Sequence, residues 1–258
     1  MSKIRHVEFL TNILFNEITY KLNNTYIWKR EKEIMATTKK ATTANKKLDS
    51  DRLISLYMDY VLENEHAPKT VYKFCKEIKL QEEEFYNFYG SFEGLEKGIW
   101  EKFYLNTVNV IEKSPEYPGF TNREKMLTFY YTFFEVLTAN RSYVLFTLKK
   151  DPTPIKNLEQ LKGLRKNVKH FSKGLVAEGN KDKTLKFLQQ PEEIFSEAAW
   201  IQLLFLLKFW MDDNSAQFES TDVAIEKSVN TVFDVFDNTP LERVVDFGKF
   251  LYKQKMAK

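Results

Sequence analysis

The 258 residues, 43% of them hydrophobic and 15% aromatic, are enough for one large helical domain, or two small ones, with a sizeable core. A single cysteine, Cys75, excludes an intrachain disulfide and points to a reducing compartment, the cytoplasm. The formal net charge of +3 is too close to neutral to indicate a partner, so the distribution of charge along the chain carries the information instead.

Residues 1–34 mix basic and apolar residues, but Asn12 and Asn16 interrupt the apolar run and no small-residue cleavage site follows, which argues against a signal peptide. The next segment, "ATTKKATTANKKLDS" (36–50), follows Met35 and holds Lys39, Lys40, Lys46 and Lys47 among small polar residues. That composition predicts a disordered basic arm, and residues 1–50 are expected to form an extension outside the fold. From Asp51 onward the apolar spacing is helical, with Gly and Pro mostly at junctions such as "SPEYPGF", "DPTP", "QQPEE" and "NTPLE". The expected fold class is all-α, with helices near 51–64, 70–78, 82–89, 91–112, 121–139, 141–149, 154–178, 191–213, 220–237 and 240–254. Start signals accompany several of them: Ser50 or Asp51 as an N-cap, Ser91, Pro154 and Pro191 in first turns, and Ser220 with Thr221 ahead of Val223.

Three short helices and then a long one, with about three residues between the second and third, are the skeleton of a helix-turn-helix headpiece. The stretch "LISLYMDYVLENEHAPKTVYKFCKEIKLQEEEFYNFYGSFEGLEKGIWEKF" (53–103) resembles the N-terminal domain of TetR-type repressors. Thr70, Tyr86, Phe88, Ser91, Glu93 and Leu95 occupy positions of that family's motif. The resemblance implies a headpiece over 51–98 and a ligand-binding, dimerising helical body over 99–258. It further implies that Gln81, Glu82, Tyr86 and Asn87 face a DNA groove while Thr70, Ser91, Lys46 and Lys47 meet phosphates. Three departures weigh against DNA. Lys79 stands where the family has the glycine of the turn, Phe92 replaces a phosphate-contacting Lys, and Glu82, Glu83 and Glu84 open the recognition helix. Residues 51–95 carry five Lys and Arg against nine Asp and Glu, a net charge of −4, where duplex binding draws its affinity from cations. The three glutamates have two readings, a solvated first turn on the positive end of the helix dipole or acceptors for cytosine amino groups.

In the segment "KMLTFYYTFFEVLTANRSYVLFTL" (125–148), Phe129, Tyr130, Phe133, Phe134 and Leu137 recur at helical spacing on more than one stripe. The plain expectation is core. By the resemblance these residues and Phe171 line a cavity for a long apolar ligand. The run "AAWIQLLFLLKFWM" (198–211) is apolar all round and, at under 20 residues, too short for a bilayer span. One face of it has to meet something beyond its own domain. A homodimer is expected through Trp200, Leu203, Leu204 and Leu207 together with Val229, Val232, Phe233 and Phe236. Residues 156–186 carry a net charge of +6, and Lys162, Arg165, Lys166, Lys169 and Lys173 share one helical face. This is either a solvated face or a patch for an anionic membrane or acidic partner. A last amphipathic helix leaves Phe250 on its polar side, consistent with packing or with peripheral membrane contact.

His6, His66 and His170 are widely separated, and no Gly-rich phosphate loop or nucleophile motif is present, so neither a metal site, a cofactor nor an enzyme is expected. Two functions remain: a cytoplasmic TetR-like transcriptional regulator with an apolar effector, or a TetR-fold lipid or isoprenoid carrier without DNA binding, working at a membrane surface or in a biosynthetic complex.

Overall fold

The structure, a computed structural model, describes residues 48–149, 157–181 and 191–238. The chain divides into two units, 1–47 and 48–258, and the described residues all belong to the second. They form α1 (Ser50–Asn64), α2 (Val71–Glu77), α3 (Glu82–Tyr86), α4 (Phe92–Ile111), α5 (Asn122–Ala139), α6 (Arg141–Leu148), α7 (Lys162–Lys181), α8 (Glu192–Asp212) and α9 (Glu219–Asn238), with short 3₁₀ turns at Tyr117–Gly119, Glu159–Leu161 and Ala216–Phe218. No strand occurs among the described residues. The fold is all-α, as the periodicity implied.

Local chemistry sets the helix ends. Asp49, rather than Ser50 or Asp51, caps α1 by accepting from the backbone N–H of Arg52 at 2.8 Å. Thr70 caps α2 through the N–H of Lys73, and Ser91 caps α4 through that of Gly94. A reciprocal capping box starts α5. Thr121 N–H donates to Glu124 Oε2 at 2.8 Å, and Glu124 N–H donates to Thr121 Oγ1 at 3.3 Å. α3 is shorter than the expected 82–89, ending at Tyr86 because the chain tightens there: Phe88 N–H turns back to the Phe85 carbonyl. α7 starts at Lys162 after a 3₁₀ turn and runs on to Lys181, so the expected 154–178 helix is displaced towards the C-terminus. The expected 240–254 helix lies outside the described residues.

The expected headpiece boundary at 98/99 falls inside α4, whose 20 residues belong to both parts. One continuous core therefore runs from Leu53 and Tyr57 through Leu95 and Trp100 to Phe129, Phe195 and Trp210, all fully buried or nearly so. Each such large side chain contributes roughly 1.5–3 kcal/mol on leaving water. α8 packs most extensively on α7, α4 lies against α5 and α7, and α9 covers α5 and α8.

Candidate nucleic-acid interface and apolar surfaces

α1–α3 are held by aromatic rings. Phe92 stacks on Tyr57 at 5.5 Å and meets Phe74 and Phe85 edge-on at 5.7 and 5.5 Å. The residue that stands in place of a phosphate-contacting Lys thus faces inward and welds α4 to the headpiece core. Cys75 is also buried, and burial, with Glu82 and Glu84 adding, pushes its thiol up, so it behaves as packing. The turn between α2 and α3 requires a left-handed residue, and Lys79 adopts φ 58 there without the freedom of glycine.

Gln81, Tyr86 and Asn87 are exposed on α3 and at its end, as a groove-reading surface needs, and Glu82 is half-buried. The glutamates are not equivalent. Glu84 Oε2 accepts from the Gln81 N–H at 2.8 Å and so caps its own helix, while Glu82 Oε1 accepts from the Tyr86 hydroxyl at 3.3 Å. Glu83 points to solvent. The hydroxyls of Thr70 and Ser91, expected on phosphates, act here as helix caps. Lys46 and Lys47 lie outside the described residues.

The rings expected to line a cavity pack on each other. Phe129 stacks on Phe171 at 4.7 Å and on Phe133 at 5.8 Å, Phe133 meets Phe134 at 6.0 Å, and Phe134 leans on Trp210 at 6.1 Å. The Tyr130 hydroxyl donates to the Ala199 carbonyl at 2.8 Å, and Leu137 is fully buried. These residues occupy the interior between α5, α7 and α8 in this structure. Of the six, only Phe171 is half-buried.

The expected dimer residues divide by face. Trp200, Leu203, Leu207, Val229, Phe233 and Phe236 are buried in the protomer, with Phe195 meeting Phe233 and Phe236 edge-on at 5.2 and 5.0 Å; Leu204 and Val232 are half-buried. Helical periodicity identified α8 and α9 but assigned their inner stripe to a partner. The outer stripe of α8 is Ile201, Phe205 and Phe209, which are 64%, 54% and 37% exposed, with the two Phe rings 6.3 Å apart. Val223 on α9 is also exposed. A surface depression lined by Phe205, Lys208, Phe209, Asp212 and Ser220 adjoins the stripe. At 21 residues, α8 is in fact long and apolar enough to cross a membrane by length and composition. Half of its most apolar stretch is buried in the protein, so packing rather than length argues against a span.

The α8–α9 junction is tightly built. Asp213 accepts from the N–H and hydroxyl of Thr221 at 2.9 and 2.6 Å and from those of Ser215 at 2.9 and 2.7 Å. Burial raises this carboxyl, but those bonds outweigh it and hold it down at about 2. The Arg141 guanidinium lies between the rings of Trp210 and Phe218 at 4.4 and 4.5 Å and donates to the Trp210 carbonyl at 2.9 Å, capping α8 from another helix. Sequence reasoning missed Arg141's part in this junction because its partners lie 69 to 72 residues away, whereas Asp213 binds residues only two and eight positions on.

The basic face of α7 turns towards α8. Arg165 and Lys169 pair with Glu197 at 2.9 and 2.5 Å, Lys173 pairs with Glu193, and Lys162 with Glu159 at 2.6 Å. Hydrogen bonds from Lys169 and Arg165 hold the Glu197 carboxyl below its usual range. Four of the five cations of that face are paired, but Arg165 and Lys169 share one carboxylate and Glu159 is already counted in the segment's charge, so the positive excess is offset only in part. Phe250 lies outside the described residues. Among the described residues no group of three or more His, Cys, Asp or Glu is placed to hold a metal ion.

Residues 125–251 match the family described as tetracyclin repressor-like, C-terminal domain. The match spans the body from α5 onward and does not overlap 53–103, the stretch carrying the headpiece resemblance, so two separate parts of the chain point the same way. A search of curated proteins finds none that matches the chain.

Proposed function

The chain belongs to the TetR family, and from that premise we propose that it is a cytoplasmic homodimeric regulator that binds operator DNA through α2 and α3 and responds to an apolar effector in its aromatic body. The family points to a regulator rather than an enzyme. The observation that carries DNA binding is the headpiece geometry: two short capped helices joined by a left-handed residue at Lys79, with Gln81, Tyr86 and Asn87 exposed on the second. Dimerisation is assigned to the outer stripe Ile201, Phe205 and Phe209, since a contiguous aromatic stripe on a two-helix face suits a self-complementary contact. An effector enters by displacing Phe171, the half-buried ring of the aromatic set, from Phe129.

The second reading, a lipid or isoprenoid carrier that has left DNA behind, is favoured by the net charge of −4 over 51–95 and by the turning of Phe92 into the core. Fluorescence anisotropy with sheared genomic DNA from the source organism, titrated from low to physiological salt, separates the two. Selective binding with a steep salt slope is the expected result. Absence of binding even at low salt makes the headpiece a structural element and leaves the carrier reading.

A further inference from the structure

Glu193, Glu197, Ile201, Phe205 and Phe209 follow one another at a spacing of four and so lie along one stripe of α8. The two ends of that stripe differ in shape. Ile201, at 64%, is the most exposed of the large apolar residues described. About two turns further on, Phe205, Phe209, Asp212 and Ser220 border an open depression of about 500 Å³. A ridge at one end and a hollow at the other, on a single helix face, are the two halves of a self-complementary contact.

The ends also differ in charge. At the Glu193 end, Arg165, Lys169 and Lys173 of α7 are tied to Glu193 and Glu197. Lys166 lines the same basic depression as those three cations and has no ion-pair partner among the described residues. Four cations against two carboxylates leave this end positive. At the other end Asp212, Asp213, Glu219, Asp222 and Glu135 outnumber Lys208, Lys149 and Arg141, the cations that act on them. The Asp222 carboxyl is pushed up to about 6, first by desolvation and then by the charges of Glu135, Asp213 and Glu219, as expected where negative charge is left uncancelled.

A helix can pair with its own copy about a two-fold axis in two ways. An axis along α8 sets like ends side by side, whereas an axis across it brings unlike ends together. We propose that a second copy of the chain docks antiparallel, with the axis crossing α8 at Phe205, so that the partner's Ile201 fills the depression beside Phe209 and each basic α7 end faces the partner's acidic α8–α9 junction. The register follows from the spacing, since Ile201 and Phe209 lie about 6 Å along the helix on either side of Phe205. The parallel alternative stacks positive on positive and negative on negative, and it leaves the depression without a ridge to fill it.

The inference rests on the dimer reading and supplies its geometry, and the test separates the two. Chains carrying Ile201→Cys and chains carrying Phe209→Cys are treated with a short bismaleimide, each alone and after mixing; Cys75 is buried and out of reach. The mixture is expected to yield crosslinked dimer, and each variant alone is expected to lose nearly all of it. In a second arm that needs no substitution, sedimentation equilibrium follows the unaltered chain from low salt to about 0.5 M, and the dimer dissociation constant is expected to rise about tenfold. A protein that sediments as a dimer, but in which Ile201→Cys alone crosslinks as well as the mixture or the mixture fails to crosslink, overturns the antiparallel register and leaves the dimer reading standing. A dissociation constant that is unmoved or falls with salt does the same. A monomer at every concentration overturns both.

Discussion

Single residues carry strain and pairing that no pattern of hydrophobicity reveals. Lys79 was identifiable in the sequence as the residue at the glycine of the turn, and it does take the left-handed conformation, at φ 58. A left-handed L-residue costs roughly 1–2 kcal/mol and glycine returns part of that as chain entropy. Lys79→Gly is therefore expected to stabilise the protein by about 0.5–1 kcal/mol, read as a rise in urea midpoint at unchanged slope. Asp213 is the opposite case, invisible in sequence and central in structure. Its folded carboxyl is held at about 2 against an ordinary 3.8, so the stability it supplies is complete above pH 4 and is lost as the pH falls from 4 towards 2, where the unfolded chain takes up the proton first. Asp213→Asn is expected to cost about 1.5–3 kcal/mol at neutral pH and to flatten that part of the acid unfolding curve.

At the scale of elements, α3 shows how three identical residues come to play different parts. Glu84 is committed to capping the helix and Glu82 to Tyr86, which leaves Glu83 as the fully solvated charge facing any duplex. Replacing all three glutamates would damage the helix start, so the informative variant is Glu82→Ala with Glu83→Ala. With two repelling charges removed, non-specific DNA affinity at low salt is expected to rise roughly tenfold in an anisotropy titration. Unchanged affinity would mean that this surface never approaches the backbone. The helices themselves were legible because period 3.6 and cap residues are local signals. Their ends shifted by a residue or more wherever a distant contact or a tight turn intervened, as at Tyr86 and Lys162.

For the whole molecule, the decisive feature is which stripe of α8 the protomer uses for itself. α8 is apolar all round, and its own core takes Phe195, Ala199, Leu203, Leu206 and Trp210, leaving Ile201, Phe205 and Phe209 outside. Phe205→Glu is expected to convert a dimer to a monomer at micromolar concentration without unfolding it, checked by sedimentation equilibrium with circular dichroism alongside. An unchanged mass would overturn the proposed dimer contact. The basic face of α7 teaches the same lesson: its charge read as a docking patch in one dimension, but in three Arg165, Lys169 and Lys173 are tied to Glu193 and Glu197 of α8, which offset part of the excess.

The helical class, the order of the helices, the headpiece resemblance and the unusual residues Lys79, Phe92 and Glu82–Glu84 were all present in the linear chain, because periodicity, caps and motif positions depend on neighbours within a turn or two. Tertiary packing alone decided that Phe92 faces inward, that the aromatic residues of α5 close on Phe171 and each other, that α8 keeps its Leu203 stripe and presents its Phe205 stripe, and that Tyr57 reaches Glu96. Each of those outcomes is a choice among faces of a helix apolar on several sides, or a meeting of residues dozens of positions apart. Only the competition for burial within one shared core resolves such choices.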